Sequence, residues 1–304
     1  MLIILIKLTN IMHKYNFSII IPAFNEEQNI PELLNDLDNC FRGIDSVEII
    51  LVDDGSTVSL KDVVNTSKYT FDLKVLTNRF NLGQSESIKL GLSHSVGSII
   101  GLIDADCQNP PEELKKLYDF YNSNNFDAVI SYRKNRKDES LRKIISKLAN
   151  LILKIFTKSK FKDLGSSLKV IKRTCLESIT FKGDMHRFIS PMLQARGYSI
   201  SELEVEHAKR IKGESKYGFG RIIPVIVDGI LFYLTQGFTR PAKYAIGKLS
   251  FSLFIISIFL NLIVIYQKVI NSIFVHRNPI FIISMVFLLL SIQIFSQIMK
   301  IDES

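Results

Sequence analysis

The sequence predicts an α/β protein with a mostly parallel sheet, helices on both faces of that sheet, and a C-terminal membrane segment of two transmembrane helices. Three observations lead to this prediction. Short, nearly continuous apolar runs alternate with stretches of helical spacing, which is typical of a parallel sheet covered on both sides. Each apolar run ends in polar residues. The chain is 47% hydrophobic, and most of the excess lies after residue 245.

The apolar runs predict five strands with helices between them. The strands are residues 17–21, 47–52, 72–76, 98–103 and 126–131, and the helices between them are 30–41, 83–95 and 111–121. The later pattern predicts an amphipathic helix over 141–156, a short mixed segment over 163–170, a helix over 184–197 and an edge strand over 199–208.

The region after residue 245 predicts two membrane-spanning helices. Residues 249–267 and 279–299 contain no charged side chain, and each has about the ~20 residues that a helix needs to cross a bilayer. The polar linker 268–278 separates them, which favours a membrane hairpin over buried core helices. Residues 222–236 are apolar but contain Pro224 and Asp228, so we expect an interfacial helix there instead of a third span.

Net charge and cysteine content narrow the function classes. The formal net charge is +8, yet no nucleic-acid recognition motif is present, so anionic lipid headgroups and phosphorylated substrates fit better than nucleic acid. The three cysteines have no pairing or metal-like spacing, which indicates a reducing compartment. The N-terminal apolar stretch is broken by Lys7 and is a poor signal peptide, and Met12 is an alternative start.

Polar side chains follow every predicted strand. They include Asn25 and Glu26 after the first strand, Asp53 and Asp54 after the second, Asn78 and Arg79 after the third, Asp104 and Asp106 after the fourth, and Arg133 after the fifth. Ligands of parallel α/β sheets bind at the carboxyl ends of the strands. The sequence therefore predicts a site at this edge.

Asp104 and Asp106 are separated by one residue, so an extended strand end projects both side chains to the same side. An isolated pair of this kind is usually a turn with solvated acids. At a ligand edge, two such carboxylates share either a proton or a cation. With Gln108 the set is all oxygen, which suits Mg²⁺ or Mn²⁺ and a diphosphate substrate. A P-loop and a dinucleotide fingerprint are absent, and a phosphatase would carry its acid pair on the first strand.

Five segments carry a family resemblance. They are PAFNEEQNI, EIILVDDGS, NRFNLGQSESIKLGL, GLIDADCQNPPEEL and RIKGESKYG, in this order. Together they resemble the inverting nucleotide-sugar glycosyltransferases of family 2. Within that family they resemble the polyprenyl-phosphate glycosyltransferases, the group that includes dolichyl-phosphate mannose synthase and bactoprenol glucosyltransferase. The resemblance covers residues 16–220, and the two spans resemble the bactoprenol-type branch.

The resemblance implies a GT-A fold and a role for each matching position. Nucleotide-sugar binding is implied for Pro22, Phe24, Glu26, Val52, Asp53, Asp54, Asp104 and Ala105. Metal binding is implied for Asp106 and Gln108, with Mg²⁺ or Mn²⁺ as cofactor. Catalytic roles are implied for Asp104, Asp106, Arg133, Arg210 and Lys216, and contact with the acceptor phosphate for Arg133, Arg142, Ser215 and Lys216.

Two positions depart from the family pattern. Val58 follows Thr57 where the family usually has an acid, and Ser166-Ser167 stand where a bulky aromatic is common after Asp-x-Gly. Neither departure removes a charged position, but both bear on which sugar and acceptor fit.

The resulting expectation is a membrane-anchored, metal-dependent, inverting glycosyltransferase. It would move a hexose-type sugar from a UDP- or GDP-sugar to polyprenyl phosphate. The expected parts are a nucleotide-sugar part (16–135), an acceptor part (136–220), an interfacial helix (221–240) and a membrane hairpin (245–304).

The location of basic residues predicts the topology. Arg240, Lys243, Lys248 and Lys300 flank the spans, against Lys268 and Arg277 in the linker, which places the catalytic domain on the cytoplasmic face of the inner membrane. The resemblance also makes a homo-oligomer plausible.

Three alternatives stay open to different degrees. A family 2 enzyme with a surface polysaccharide or another non-lipid acceptor would share the acid pair but would lack the GESKY segment and the hairpin. A processive polysaccharide synthase would carry a Q-x-x-R-W motif, whereas this chain has no tryptophan. A non-enzymatic scaffold would be expected to have lost the four acids.

Overall fold

The computed structural model describes residues 15–44, 46–133, 160–180, 183, 185–206, 242–271 and 274–301. The chain divides into two compact units, Met1–Phe232 and Tyr233–Ser304. Three of the predicted segments lie outside the described residues: the amphipathic helix 141–156, the end of the strand beyond residue 206, and the interfacial helix 222–236.

The first unit contains a seven-stranded sheet in the order β3-β2-β1-β4-β6-β5-β7. The strands are β1 Phe17–Ala23, β2 Val47–Asp53, β3 Asp72–Thr77, β4 Ile99–Leu102, β5 Ala128–Arg133, β6 Lys169–Lys172 and β7 Ile200–Val205. β1 is parallel to β2 and β4, β2 is parallel to β3, and β5 is parallel to β7. β6 runs antiparallel to both of its neighbours, β4 and β5. The predicted mostly parallel sheet is confirmed, and the antiparallel β6 makes it a mixed sheet.

Eight α-helices are described in the two units. They are α1 Ile30–Phe41, α2 Leu60–Val63, α3 Gln84–His94, α4 Pro111–Ser123, α5 Arg173–Ser178, α6 Ile189–Ala195, α7 Ala242–Asn271 and α8 Pro279–Ile301. Short 3₁₀ turns occur at Thr66–Lys68, Met185–Phe188 and Val275–Arg277.

Alternate residues of the central strands face two separate cores. Ile19 and Ile49 pack with Leu34 and Leu117 of α1 and α4 on one side of the sheet. On the other side, the core contains Ile20, Ile50, Ile88, Ile130 and Met192, which brings in α3 and α6. Both faces of the sheet are therefore covered, which explains why the strands read as continuous apolar runs.

Two elements differ from the sequence prediction. The segment predicted as mixed over 163–170 contains the start of β6, whose four residues are too short to show a period of their own. The helix predicted over 184–197 is divided into the 3₁₀ turn Met185–Phe188 and α6. Pro191 lies in the first turn of α6, where its missing N–H is tolerated, so this helix begins later than predicted.

The second unit is a hairpin of two apolar helices, as predicted. Its candidate membrane spans are Ile246–Ile270 and Pro279–Ser296, with mean hydropathies of 2.4 and 2.3. The Ser250 Oγ donates a hydrogen bond to the carbonyl of Ser291 over 2.9 Å, and the Ser257 Oγ donates to that of Ser284 over 2.9 Å. Serines thus lie between the helices, whereas large apolar side chains such as Phe259 point outwards.

Candidate active site

The strand order places a topological switch point between β1 and β4. From β1 the chain moves outwards to β2 and β3, then crosses to β4 on the other side of β1. The carboxyl ends of β1 and β4 therefore flank a crevice, the position where open α/β sheets bind ligands. The loops after β1 and β4 are 24–29 and 103–110, and they carry the predicted Glu26, Asp104, Asp106 and Gln108.

The loop after β1 is fixed to the loop after β2. Asn25 takes a positive φ of 52°, its backbone N–H donates to the Ser56 Oγ over 2.9 Å, and its side-chain oxygen accepts from the Thr57 N–H at 2.8 Å. The Glu26 carboxylate accepts a hydrogen bond from the Asn29 amide over 2.6 Å. The predicted nucleotide-sugar-binding residues Pro22, Phe24 and Glu26 are partly exposed, at the end of β1 and in the loop after it, whereas Val52 is fully buried in β2.

Asp53 ends β2 and is fully buried. One carboxylate oxygen accepts from the Ser56 N–H at 2.9 Å, and the other accepts from the Leu60 N–H at 3.0 Å. The side chain therefore shapes the loop that leads to α2. Direct contact between Asp53 and a nucleoside stays a prediction.

Asp54 organises the loop after β3. Its carboxylate accepts from the Asn78 amide at 2.7 Å and from the backbone N–H groups of Leu82 at 3.0 Å and Gly83 at 2.8 Å. Gly83, at φ +93°, immediately precedes α3, so a distant carboxylate satisfies donors at the start of this helix. As for Asp53, contact with base or ribose stays a prediction.

Gly55 brings the loops after β2 and β3 into backbone contact. Its φ is +73°, and a Cβ at this position would lie 2.6 Å from the backbone carbon of Phe80. Because only glycine tolerates both the positive φ and this approach, the Asp-Asp-Gly order is a requirement of the loop itself.

The predicted acid pair lies on one side of the loop after β4. Ile103 and Ala105 are buried, whereas Asp104 and Asp106 are partly exposed, as alternation along an extended end requires. Asp104 accepts from the Gln84 amide at 2.7 Å, and Asp106 accepts from the Gln108 N–H at 3.2 Å. Cys107 lies between Asp106 and Gln108 at φ 55°, and the pKa of its thiol is raised to about 11 by burial and then by nearby carboxylates, which argues against a nucleophilic role.

The oxygen donors fit a hard divalent cation. Asp106 and Gln108 are both partly exposed in the loop after β4 and supply carboxylate and amide oxygens. Across the part of the chain that the structure describes, no group of three or more His, Cys, Asp and Glu side chains forms a metal cage. A sparse donor set of this kind is typical of Mg²⁺ sites in which substrate phosphates and water complete the coordination.

Arg133 ends β5 and forms an ion pair that the sequence interpretation missed. The Arg133 Nε lies 2.6 Å from the Asp163 Oδ2, and the Arg133 Nη2 lies 3.1 Å from the Asp163 Oδ1. Arg133 and Asp163 are only 12% and 9% exposed, so the pair is largely shielded from water. The Gly165 N–H also donates to Asp163, at 3.0 Å. The Asp-x-Gly order of residues 163–165 was the available signal, but nothing in it names Arg133 as the partner.

The remaining predicted residues have no structural description. Arg142, Arg210, Ser215 and Lys216 lie outside the described residues. Of the predicted site, the structure thus brings together the nucleotide-sugar and metal positions at the ends of β1, β2 and β4, with Arg133 at the end of β5.

The chain matches the family described as Glycosyl transferase family 2 over residues 18–179. It is 32% identical over 286 residues to a dodecaprenyl-phosphate galacturonate synthase from Rhizobium johnstonii, an alignment that covers 91% of this chain and 83% of that protein. It is 34% identical over 215 residues to an undecaprenyl-phosphate 4-deoxy-4-formamido-L-arabinose transferase from Salmonella typhimurium, covering 69% of this chain and 65% of that protein.

Solved structures with the same fold include glucosyl-3-phosphoglycerate synthase from Mycobacterium tuberculosis. Its complex with Mn²⁺, UDP and glucosyl-3-phosphoglycerate has a TM-score of 0.56 at 18% identity, covering 72% of this chain and 80% of that one. Its complex with Mn²⁺, UDP and phosphoglyceric acid has a TM-score of 0.57 at 18% identity, covering 72% and 78%. This likeness shows the GT-A-like fold. The sequence matches confirm the predicted family: the chain belongs to glycosyl transferase family 2.

Proposed function

We propose that this protein transfers a hexose-type sugar from a UDP- or GDP-sugar to polyprenyl phosphate at a membrane surface, with inversion at the anomeric carbon. One observation carries the proposal: the match to a dodecaprenyl-phosphate galacturonate synthase spans 91% of the chain, so it includes part of the apolar hairpin as well as the acid-lined sheet edge. A lipid-phosphate acceptor accounts for both the apolar hairpin and the acid-lined sheet edge.

The donor would bind in the crevice between the ends of β1 and β4. Pro22, Phe24 and Glu26 would line the base pocket, and Val52 and Ala105 are two further proposed nucleotide-sugar-binding positions. Asp53 and Asp54 are buried and hold the neighbouring loops by backbone hydrogen bonds, so they would shape the nucleoside pocket, and contact of one of them with base or ribose stays a prediction. Asp104, held by Gln84, would contact the sugar.

Asp106 and Gln108 would hold a divalent cation, Mg²⁺ or Mn²⁺, beside the diphosphate. When bound, such an ion supplies Lewis-acid stabilisation of the leaving nucleoside diphosphate. The fit rests on the all-oxygen donor set and on the partial exposure of both side chains.

The acceptor needs no strong general base. The second pKa of a phosphate monoester is about 6, so polyprenyl phosphate is already mostly a dianion at neutral pH. The protein's task is to hold the acceptor oxygen in line with the anomeric carbon and to offset repulsion between two anionic substrates. Arg133, Arg142, Arg210, Ser215 and Lys216 are the proposed phosphate-binding residues.

The hairpin would anchor the protein where the acceptor phosphate lies, at headgroup level. We propose the cytoplasmic face of the inner membrane for the catalytic residues, on the basis of the Arg and Lys bias around the two spans. The proposed division is a nucleotide-sugar part over 16–135, an acceptor part over 136–220, an interfacial helix over 221–240 and the hairpin over 245–304.

The test uses the full chain in membranes with a panel of labelled donors and acceptors. Donors include UDP- and GDP-hexoses, a UDP-uronic acid and a UDP-4-formamidoarabinose, because the two named relatives differ in their sugar. Acceptors are undecaprenyl phosphate, dolichyl phosphate and soluble saccharides. We expect an acid-labile lipid-phosphate sugar whose formation stops with EDTA and returns with Mg²⁺ or Mn²⁺.

Two outcomes would overturn the proposal. Transfer to a soluble saccharide without transfer to either lipid phosphate would assign the protein to the non-lipid class of family 2. A lipid-linked product with retained anomeric configuration would overturn the single-displacement mechanism.

A further inference from the structure

Lys169 begins β6, and the direction of β6 brings it to the substrate edge of the sheet. β6 runs antiparallel to β4 and β5, so its first residue lies beside the last residues of those strands. Lys169 is in register with Leu102, two residues before Asp104, and with Ile130, three residues before Arg133. A parallel strand at this position would have placed its first residue at the opposite edge.

The side chain of Lys169 is buried, with only 4% of its surface exposed. Lysine is rarely buried to this degree without partners, because its ammonium loses its hydration. Here the Nζ donates a hydrogen bond to the carbonyl of Ser166. The Ser166 hydroxyl is in turn hydrogen-bonded to the Ser131 hydroxyl, which donates to the Leu168 carbonyl over 2.9 Å.

The charges around Lys169 are those of the candidate site. Burial lowers its pKa from 10.5 to about 8, the carboxylates of Asp104 and Asp163 act in the opposite direction, and the Arg133 guanidinium adds to the lowering. Asp104 comes from the β4 loop, Arg133 from β5, and Asp163 from the segment before β6. Lys169 therefore interacts electrostatically with both the acid that faces the donor sugar and the Arg133–Asp163 ion pair.

We propose that the buried ammonium of Lys169 is a positioning group for the donor, acting as the counter-charge that holds Asp104 and the Arg133–Asp163 pair in place at the sheet edge. This inference rests on the proposed function, because it concerns the same nucleotide-sugar site. It adds to that site a cation that lies beneath the substrate-facing residues.

A purely structural role and a positioning role for Lys169 predict different effects of its replacement on activity. A buried charge is usually less stabilising than an apolar side chain of similar volume, so a methionine at this position should fold at least as well. If Lys169 instead positions the charged groups of the site, the same substitution removes activity without removing stability. Activity and stability thus separate the two roles.

The experiment compares the variants Lys169→Met, Lys169→Arg and Lys172→Met in the full chain, with UDP binding and sugar transfer measured alongside the melting temperature. Lys172 is the matched control, since it ends the same strand at the opposite edge and is exposed. For Lys169→Met we expect kcat/KM for the donor to fall about 100-fold at an unchanged or higher melting temperature. For Lys169→Arg and Lys172→Met we expect values within about fivefold of wild type.

The pH profile gives a second readout. Since kcat/KM reports the free enzyme, the wild type should lose activity as pH rises through about 8, where Lys169 loses its proton. Arginine stays charged, so Lys169→Arg should lack this alkaline limb.

The outcomes are distinguishable from failure of the proposed function. If the wild type transfers no sugar to any acceptor, the proposed function is wrong. If the wild type is active and Lys169→Met keeps wild-type kcat/KM, or if its activity falls only in proportion to a lowered melting temperature, the positioning role is overturned. An alkaline limb that persists in Lys169→Arg would also count against it.

Discussion

At the edge of the sheet that carries the candidate site, the two halves of the sheet hold their charged residues in different ways. In the half formed by β3, β2, β1 and β4, carboxylates accept hydrogen bonds from neutral donors, as Asp54 does from Gly83 and Asp104 from Gln84. In the half formed by β6, β5 and β7, charge meets charge, as in the Arg133–Asp163 pair and at Lys169. In the first half, neutral donors fix each carboxylate and leave its charge in place, whereas in the second half a carboxylate fixes a cation.

This difference suits the proposed reaction between two anionic substrates. The first half presents fixed negative oxygens, which suit a divalent cation and the hydroxyls of a sugar. The second half supplies positive groups for the phosphates, already oriented by their carboxylate partners. Four predictions sharpen or break this comparison.

The largest expected effect comes from Asp106→Asn, because it removes the proposed ionic ligand of the metal. We expect sugar transfer at saturating Mg²⁺ to fall about 1,000-fold. Transfer at a series of Mn²⁺ and Mg²⁺ concentrations measures it, with Asp119→Asn on the exposed face of α4 as the control. Transfer at the wild-type rate by the Asp106→Asn variant would contradict the proposed location of the metal in this half of the sheet.

Asp163→Asn tests the ion-paired half. The substitution leaves the largely buried Arg133 without its ionic partner, so we expect kcat/KM for the donor to fall about 100-fold. The matched control is again Asp119→Asn, which removes the carboxylate of the exposed Lys115–Asp119 pair and should change kcat/KM less than about twofold. Equal effects of the two substitutions would show that burial of the Arg133 pair has no catalytic value.

The buried Lys169 predicts a pH dependence of stability. Its pKa is lowered from 10.5 to about 8 by burial, so between these values the unfolded chain holds a proton that the folded chain has lost. Stability relative to Lys169→Met should therefore rise with pH across this window, by on the order of 3 kcal/mol in total.

Urea unfolding of the detergent-solubilised full chain at pH 7, 8, 9 and 10 measures that difference. Lys172→Met controls for general alkaline destabilisation. If the wild type instead lost stability relative to Lys169→Met as pH rises, the pH dependence would have the opposite sign, and a lowered pKa for the buried Lys169 would be contradicted.

The smallest expected effect comes from Asp54→Asn in the neutral-donor half. The asparagine retains one acceptor oxygen but turns the other into a donor that faces the Leu82 or Gly83 N–H. We expect a loss of about 2 kcal/mol in unfolding free energy, against little change for the exposed Asp62→Asn. Hydrogen exchange at the Leu82 and Gly83 amides localises the effect, and unchanged protection there would contradict the capping role of Asp54.

The sequence predicted the strands β1 to β5 and the edge strand β7, but it missed β6 in the second half of the sheet. Strands β1 to β4 are local apolar runs, and the acids follow them directly, so periodicity and loop composition were sufficient. β6 has four residues, and its place between β4 and β5 depends on pairings across the sheet that no local pattern encodes. For the same reason the roles of Asp163 and Lys169 escaped notice: Arg133 lies 30 residues from Asp163 in the chain, and Asp104 and Arg133 both lie more than 30 residues from Lys169.

The roles of the acidic residues show a second limit of prediction from the sequence. Asp53 and Asp54 were predicted as ligands of the nucleotide, but composition alone does not reveal that their oxygens accept backbone N–H groups of the surrounding loops. A family motif indicates that a residue is important, but it does not show whether the side chain contacts the substrate or holds the surrounding loops.

The interlocked loops after β1, β2 and β3 have a thermodynamic consequence. Asn25 is tied to Ser56 and Thr57, and Gly55 lies against the backbone of Phe80. The conformational entropy of these loops is therefore lost when the chain folds, before any donor arrives. A rigid receptor of this kind can use its contacts with the nucleotide for affinity, since little of that free energy is consumed in ordering the pocket.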